Sequence, residues 1–463
     1  MNGHDPVNFG GPFAIKDVQF ENRLIRSSIG GRTAYYDGTV NSAWETFEST
    51  FAAGGVGAII SATLTVDEDR WSPLEYPKIS NKRVAKSLHQ RIGNIKRRFP
   101  KLRYIVQIGD PGYHTQTSLV RQTADAMSAS SGFDPLYGYT NVRREMSVHD
   151  IRTTIREFRC AARRVIHTGC DGLELTASKG YLIHQFLNPG TNGRKDEYGG
   201  PLERRARLLR EVVENIRDVI GNRRDFVFGV RLSARDYNRQ PWLALFRLGP
   251  GLKPSALSAG NSLEDMLEVG AWLKMLGVDY LHISAGFGFI NPRENPGAFP
   301  TREVRMFCDS TRHLSFKARA RAVWLGMMPE HLSDRVMNLG WPKPDPAADY
   351  TNIPSNLEDA LEFKRRVDMP IIVNGGFQRR VQVLEALRRG CDFVSMARPL
   401  LANPHLPRLF EQGDDVSRER LCTFCNKCAV RTTMFPLGCY EPSRFANDME
   451  MNEQIVRLNL PHP

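Results

Sequence analysis

No run of apolar residues in this 463-residue chain is long enough to cross a bilayer: the longest weakly polar stretch, 52–66, is too short and too rich in glycine. The N-terminus, Met1-Asn2-Gly3-His4-Asp5, lacks the basic start and apolar core of a signal peptide. Acidic residues are missing from 82–103, which carries nine Lys and Arg. No nucleic-acid motif and no array of stacking aromatics accompanies that charge, which argues against a nucleic-acid partner. Cysteine is absent before Cys160, and Cys160, Cys170, Cys308 and Cys391 are scattered. The other four, Cys422, Cys425, Cys428 and Cys439, crowd together. That distribution argues against a disulfide framework and for a metal or cluster site in a reducing, cytoplasmic setting without membrane attachment.

Apolar residues make up 41% of the chain, enough for a core, and the length fits one large barrel with insertions or two to three small domains. The net charge of +12 has two readings. Basic runs such as 82–103 and 143–164 are usually solvated outer faces of helices. The other reading is a surface for an acidic redox partner or a phosphorylated substrate handle.

Eight short β-rich runs, at 23–28, 56–61, 103–108, 172–175, 226–232, 280–284, 370–374 and 392–396, alternate with helical patterns at 43–53, 82–98, 147–167, 202–219, 262–276, 356–366 and 379–389. Such alternation predicts an α/β fold, a parallel (β/α)8 TIM barrel with its functional loops at the strand C-termini. Ser147 and Asp150 have capping-box spacing at the start of the third helix, and Gly169 and Gly390 follow helical stretches as stops. An N-terminal hairpin at 13–20 is expected to plug the barrel. Two long catalytic-face loops, 109–146 and 285–354, read as lids or binding elements, or as insertions remote from the chemistry. The barrel is assigned to 1–410, with the insertion at about 285–354, and a Cys-rich C-terminal extension to 411–463. The last two strands carry the clearest chemical signal. Asn374-Gly375-Gly376 and Met396-Ala397-Arg398 end them in small residues, where glycines let backbone N–H groups approach an anion and Arg398 can fork onto it. A phosphate-bearing cofactor is therefore expected.

Further segments extend the pattern: Asn22-Arg23-Leu24-Ile25-Arg26-Ser27-Ser28, Gly54-Gly55-Val56-Gly57-Ala58, Val106-Gln107-Ile108, Gly180-Tyr181-Leu182-Ile183-His184-Gln185-Phe186-Leu187-Asn188-Pro189, Asn192-Gly193-Arg194 and Val230-Arg231-Leu232-Ser233. Over about residues 9–410 the chain resembles the Old Yellow Enzyme family of FMN-dependent NADH:flavin oxidoreductases, on the branch of 2,4-dienoyl-CoA reductase and trimethylamine dehydrogenase. The resemblance implies that Ser27, Ser28 and Ala62 lie against the isoalloxazine edge and that Gln107 hydrogen-bonds its pyrimidine ring. Arg231 would face flavin N1 and O2 and stabilise the charge gained on reduction. Gly375, Gly376, Ala397 and Arg398 would bind the FMN phosphate. Tyr181, a phenol with a reference pKa of about 10, would be the general acid that protonates the α-carbon once hydride has reached the β-carbon of an activated alkene. Plainer readings exist: Arg231 as an ion-pair residue of the barrel core, and Tyr181 as packing under its loop. His184 reads as a packing and hydrogen-bonding residue.

The chain also departs from the family. Where members carry a His-x-x-His or His-x-x-Asn donor pair, it has Thr176 and Lys179. Both donate hydrogen bonds, and the charge of Lys179 suits a carboxylate or thioester oxygen better than a simple enone. Alternatively, Lys179 lies at the surface and Thr176 fills a gap. Gly30 stands where relatives often place Thr or Cys. With no cysteine near the first strand, FMN is expected to be noncovalent. The four clustered thiolates suit a [4Fe–4S] cluster or structural zinc, or remain metal-free. In the resembled branch a similar set holds a [4Fe–4S] cluster that exchanges electrons with a C-terminal FAD/NAD domain. The sequence stops at Pro463, so the electron donor is expected to be a separate redox partner protein.

The reading is an enzyme, an FMN-dependent oxidoreductase that uses NAD(P)H-derived electrons to reduce an activated C=C bond, of enoate or enoyl type, in a small-molecule substrate. The same fold run in reverse would be a dehydrogenase or demethylase oxidising a C–N or C–C bond. A third reading is an FMN and iron–sulfur electron-transfer subunit. An oligomer is compatible with these motifs but not specified by them.

Overall fold

The computed structural model describes residues 11–31, 33–70, 77–115, 126–133, 142–236, 260–287, 299–313, 316–337 and 356–460. Eight strands run parallel: β1 (Leu24–Arg26), β2 (Ala58–Ile60), β3 (Arg103–Gly109), β4 (Gly172–Ala177), β5 (Val227–Ser233), β6 (Tyr280–Ser284), β7 (Ile371–Asn374) and β8 (Phe393–Met396). Each pairs with the next and β8 returns to β1, so the sheet closes. Helices α1 (Ser42–Ala53), α2 (Lys82–Arg98), α3 (Val148–Ile166), α4 (Arg207–Ile220), α5 (Leu263–Met275), α6 (Leu357–Val367), α7 (Arg380–Arg388) and α8 (Leu406–Glu411) surround it. This is the expected (β/α)8 barrel.

The strands are rich in Ile, Val and Leu because both faces are covered. Successive side chains point to opposite faces, which separates two cores. Leu24, Ile59, Val106, Leu173, Phe228, Leu281 and Val373 belong to the larger core beneath the helices. Their neighbours Ile25, Ala58, Ile60, Ile105, Val227, Tyr280, Ile372 and Phe393 fill the barrel interior. The hairpin Phe13–Ile15 and Val18–Phe20 closes that interior with Ile15, Val18 and Phe20; the Phe20 ring lies 4.9 Å from that of Phe393. The expected plug is present.

Helix starts follow local chemistry. Ser147 and Asp150 form the anticipated capping box on α3, and Ser262 and Asp265 form another on α5. Gly169 and Gly390 hold φ of +80° and +117°, conformations that halt a helix. The helix expected at 202–219 is broken at Ala206 into Leu202–Arg205 and α4. Beside the break, the buried Arg205 guanidinium donates to the carbonyls of Leu187 and Gly200 at 2.7 Å, which anchors the short segment.

Within the insertion expected as a loop, the described residues form three helices, Thr301–Ser310, Phe316–Met327 and Glu330–Met337. Ala, Arg, Leu and Met at high density give them helix propensity. The first packs on the C-terminal extension, where buried Glu303 accepts from Arg431 Nε at 3.2 Å. The loop after β3 carries a short 3-10 turn, Gly112–His114, and strands Met127–Ser128, Gly132–Phe133 and Val142–Glu145. Among the described residues no helix is long and apolar enough to cross a membrane.

Candidate active site

Towards the C-terminal ends of the strands, the inward positions turn polar. Register sets Gln107 beside Glu174, Thr176 beside Arg231, Arg231 beside His282, and Asn374 beside Ser395. A hydrogen-bonded chain crosses the interior. Thr63 donates to Gln107 Oε1, and Gln107 Nε2 donates to Glu174 Oε1 at 2.6 Å. Tyr280 donates to Glu174 Oε2 at 3.1 Å, and His282 Nδ1 approaches the same carboxylate at 3.1 Å. His282 Nε2 meets Ser395 Oγ at 2.8 Å, and Asn374 Nδ2 reaches both Ser395 Oγ and Ser27 Oγ at 3.2 Å.

A carboxylate facing three donors is ionised, because only that form accepts throughout. Burial works to raise the Glu174 pKa, but His282, Arg231 and Gln107 outweigh it and hold it below the usual range. Burial lowers the pKa of His282, with the Arg231 charge acting in the same direction. Glu174 acts against both by favouring the charged ring, and the imidazole bridges the two groups, Nδ1 towards Glu174 and Nε2 towards Ser395 Oγ. None of Glu174, His282, Tyr280, Ser395 or Thr63 was assigned a role from sequence. The available signal was a polar residue at an inward position of an otherwise apolar strand, as in Gly172-Leu173-Glu174-Leu175.

Above this layer, Gly109 ends β3. A Cβ there would collide with Thr176 Cγ2, lie 2.8 Å from Thr63 Cγ2 and touch Tyr181 Cδ1 at 3.6 Å. Thr176 and Tyr181 thus converge over one glycine. Tyr181, half-buried, is the N-cap of the helix Leu182–Leu187. Its loop is pinned by His184, whose Nδ1 accepts from Gly180 N at 3.1 Å while Nε2 donates to buried Asp236 at 2.7 Å. His184 has the structural part read from sequence. Lys179 sits in a left-handed conformation, φ +56°, and its Nζ donates to Ala285 O at 2.6 Å, where the insertion begins.

The remaining expected cofactor residues line the same end. Ser28, Gly375, Gly376, Ala397 and Arg398 are partly exposed at strand ends, whereas Ser27, Ala62, Gln107 and Arg231 are buried below. Gly375 and Gly376 have φ of +130° and +86°, successive conformations that L side chains rarely adopt and that glycine permits. These groups fit a phosphate-bearing, planar cofactor. The Arg398 guanidinium lies 5.0 Å over the Phe424 ring and donates to Asn426, so it also reaches the cysteine segment.

Cys422, Cys425, Cys428 and Cys439 line one cavity with Arg398 and Arg444. Arg444 Nη1 lies 2.9 Å from Cys439 Sγ. Burial pushes the Cys422 thiol up to about 11, against the pull of the Arg398 charge. Among the described residues, no three such ligands close on the position of a single metal ion.

Residues 9–242 match the profile of the NADH:flavin oxidoreductase / NADH oxidase family, and the chain belongs to that family. It is 25% identical to the NADH oxidase of Thermoanaerobacter brockii over 422 residues, 89% of this chain and 52% of that protein. The chain therefore spans about half the length of that curated relative. A 2-naphthoyl-CoA reductase complex shares its fold with a TM-score of 0.71 at 21% identity, covering 96% of this chain and 58% of the other. Morphinone reductase does so with a TM-score of 0.60 at 18% identity, covering 90% and 94%.

Proposed function

We propose that this oxidoreductase reduces an activated C=C bond, of enoate or enoyl-thioester type, with NAD(P)H-derived electrons. The observation that carries this reading is the convergence of Tyr181 and Thr176 over Gly109, with Arg231 beside Thr176 in the adjoining strand. FMN, when bound, supplies hydride; Ser27, Ser28, Ala62, Gln107, Arg231, Gly375, Gly376, Ala397 and Arg398 would hold it. Arg231 brings a positive charge to the buried floor, where charge develops on reduction. Thr176 and Lys179 would orient the substrate oxygen, since a hydroxyl and an ammonium both donate. Tyr181 would hand its phenolic proton to the α-carbon. A thioester oxygen or carboxylate suits the Lys179 charge, and the reductase of a CoA thioester among the similar folds is compatible with that substrate class.

The cysteine cavity would hold a [4Fe–4S] cluster. Its support is that four thiols share one cavity with two guanidinium groups, which would offset the charge of a thiolate-ligated cluster. A separate redox protein would then feed electrons. A reducing, cytoplasmic setting would keep these thiols available to such a cluster.

The test is a spectrum of anaerobically purified protein with iron and sulfide assays, followed by NAD(P)H oxidation against a panel of 2-enoates, 2-enoyl thioesters and amines. Flavin bands, about four irons per chain and alkene-dependent turnover are expected. Turnover on amines without alkene would replace this reading with a dehydrogenase.

A further inference from the structure

Glu174 is a buried carboxylate at the centre of the barrel's polar layer, and the roles assigned above leave it without a task. Register places it between Gln107 of β3 and Gly229 of β5, and places Gly229 beside Tyr280 of β6. A Cβ at Gly229 would overlap the Tyr280 ring. The glycine therefore lets that ring cross β5, so that its hydroxyl meets Glu174 Oε2 at 3.1 Å. Two other strands thus send three donors to one carboxylate on β4: Gln107 from β3, and Tyr280 and His282 from β6. The Gln107 amide is held at both ends, Oε1 by Thr63 and Nε2 by Glu174, and a flip would set its oxygen against the Glu174 carboxylate, which only accepts.

We propose that Glu174 is a positioning residue of the flavin site: it fixes the orientation of the Gln107 amide, opposes the charge of Arg231 and thereby lowers the reduction potential of bound FMN. This inference rests on the reading that Gln107 and Arg231 face the flavin. A cation beside the ring favours the form that gains negative charge, and a carboxylate behind that cation disfavours it. Burial makes both effects large, because the interior screens charge far less than water.

The test is the flavin midpoint potential of the FMN-loaded enzyme, measured anaerobically by dye equilibration. In Glu174→Gln, the ratio of reduced to oxidised flavin at a fixed potential should rise about tenfold, a shift of about 30 mV for two electrons. Tyr280→Phe removes one donor and leaves the carboxylate less neutralised, so the ratio should fall by about threefold. Glu174→Asp keeps the charge and should stay close to the parent value. A merely structural role would alter stability without moving the potential in opposite directions. An unchanged or lowered potential in Glu174→Gln overturns the proposal. If that variant retains no FMN, an unchanged or raised potential in Tyr280→Phe does so. A wild type that holds FMN but reduces no alkene sinks the proposed function and leaves these potentials readable. Unchanged potentials in an alkene-reducing enzyme sink the Glu174 role alone.

Discussion

Tyr181 and Thr176 both lie close to Gly109, and it is Thr176, with Thr63, that occupies the space a side chain there would fill. Tyr181→Phe should retain FMN and its reduction by NAD(P)H, while alkene-dependent reoxidation slows by about 10²–10⁴. Stopped-flow separation of the two half-reactions checks this, and equal slowing of both would contradict the proton-donor role. Gly109→Ala should displace Thr176, since the new methyl would collide with it; kcat/KM is expected to fall about 100-fold with the flavin still bound. At this scale legibility was uneven. Tyr181, Arg231 and the Gly375-Gly376 pair stand in recognisable local strings, whereas Glu174 and His282 acquire meaning only from strands adjacent in space.

Single helices were legible where a short-range rule governs them. The α3 capping box is such a case: Ser147 Oγ accepts from Asp150 N at 3.1 Å, and Asp150 Oδ2 accepts from Ser147 N at 2.8 Å. Ser147→Ala should lower stability by about 1 kcal/mol in denaturant unfolding. The donors on Asp150, Arg144 first and Ser147 next, hold its carboxyl well below the usual range. A depressed folded pKa stabilises above the unfolded value of about 4, and that contribution disappears as pH falls through the folded value. Asp150→Asn should therefore cost most near neutrality, and its difference from wild type should shrink as pH drops below about 4. The magnitude is modest because the site is largely exposed to water. A gap that widens in acid would refute the assignment. The insertion escaped reading as helices because prolines flank its helical stretches, among them Pro296, Pro300, Pro342 and Pro344. The packing of Thr301–Ser310 on the extension depends on a partner more than a hundred residues away, Arg431 for Glu303.

For the molecule as a whole, that same contact joins two segments that neither follows from nor predicts the other in sequence. Arg431→Ala would leave the Glu303 carboxylate, 2% exposed, without its donor. A loss of about 1–3 kcal/mol is expected, with faster hydrogen exchange in Thr301–Ser310 and little change in the barrel strands. Uniform loss of protection would show that the insertion does not open as a separate unit. The sequence by itself determined the barrel, its order of strands and helices, the hairpin plug and the crowding of thiols, because periodicity, capping and spacing act over a few residues. Only the tertiary structure decided which polar side chains share the interior, since closure of the sheet sets register between strands far apart in the chain. It also decided that Arg398 reaches the cysteine cavity, because that depends on where a loop returns after the eighth strand rather than on its own string of residues.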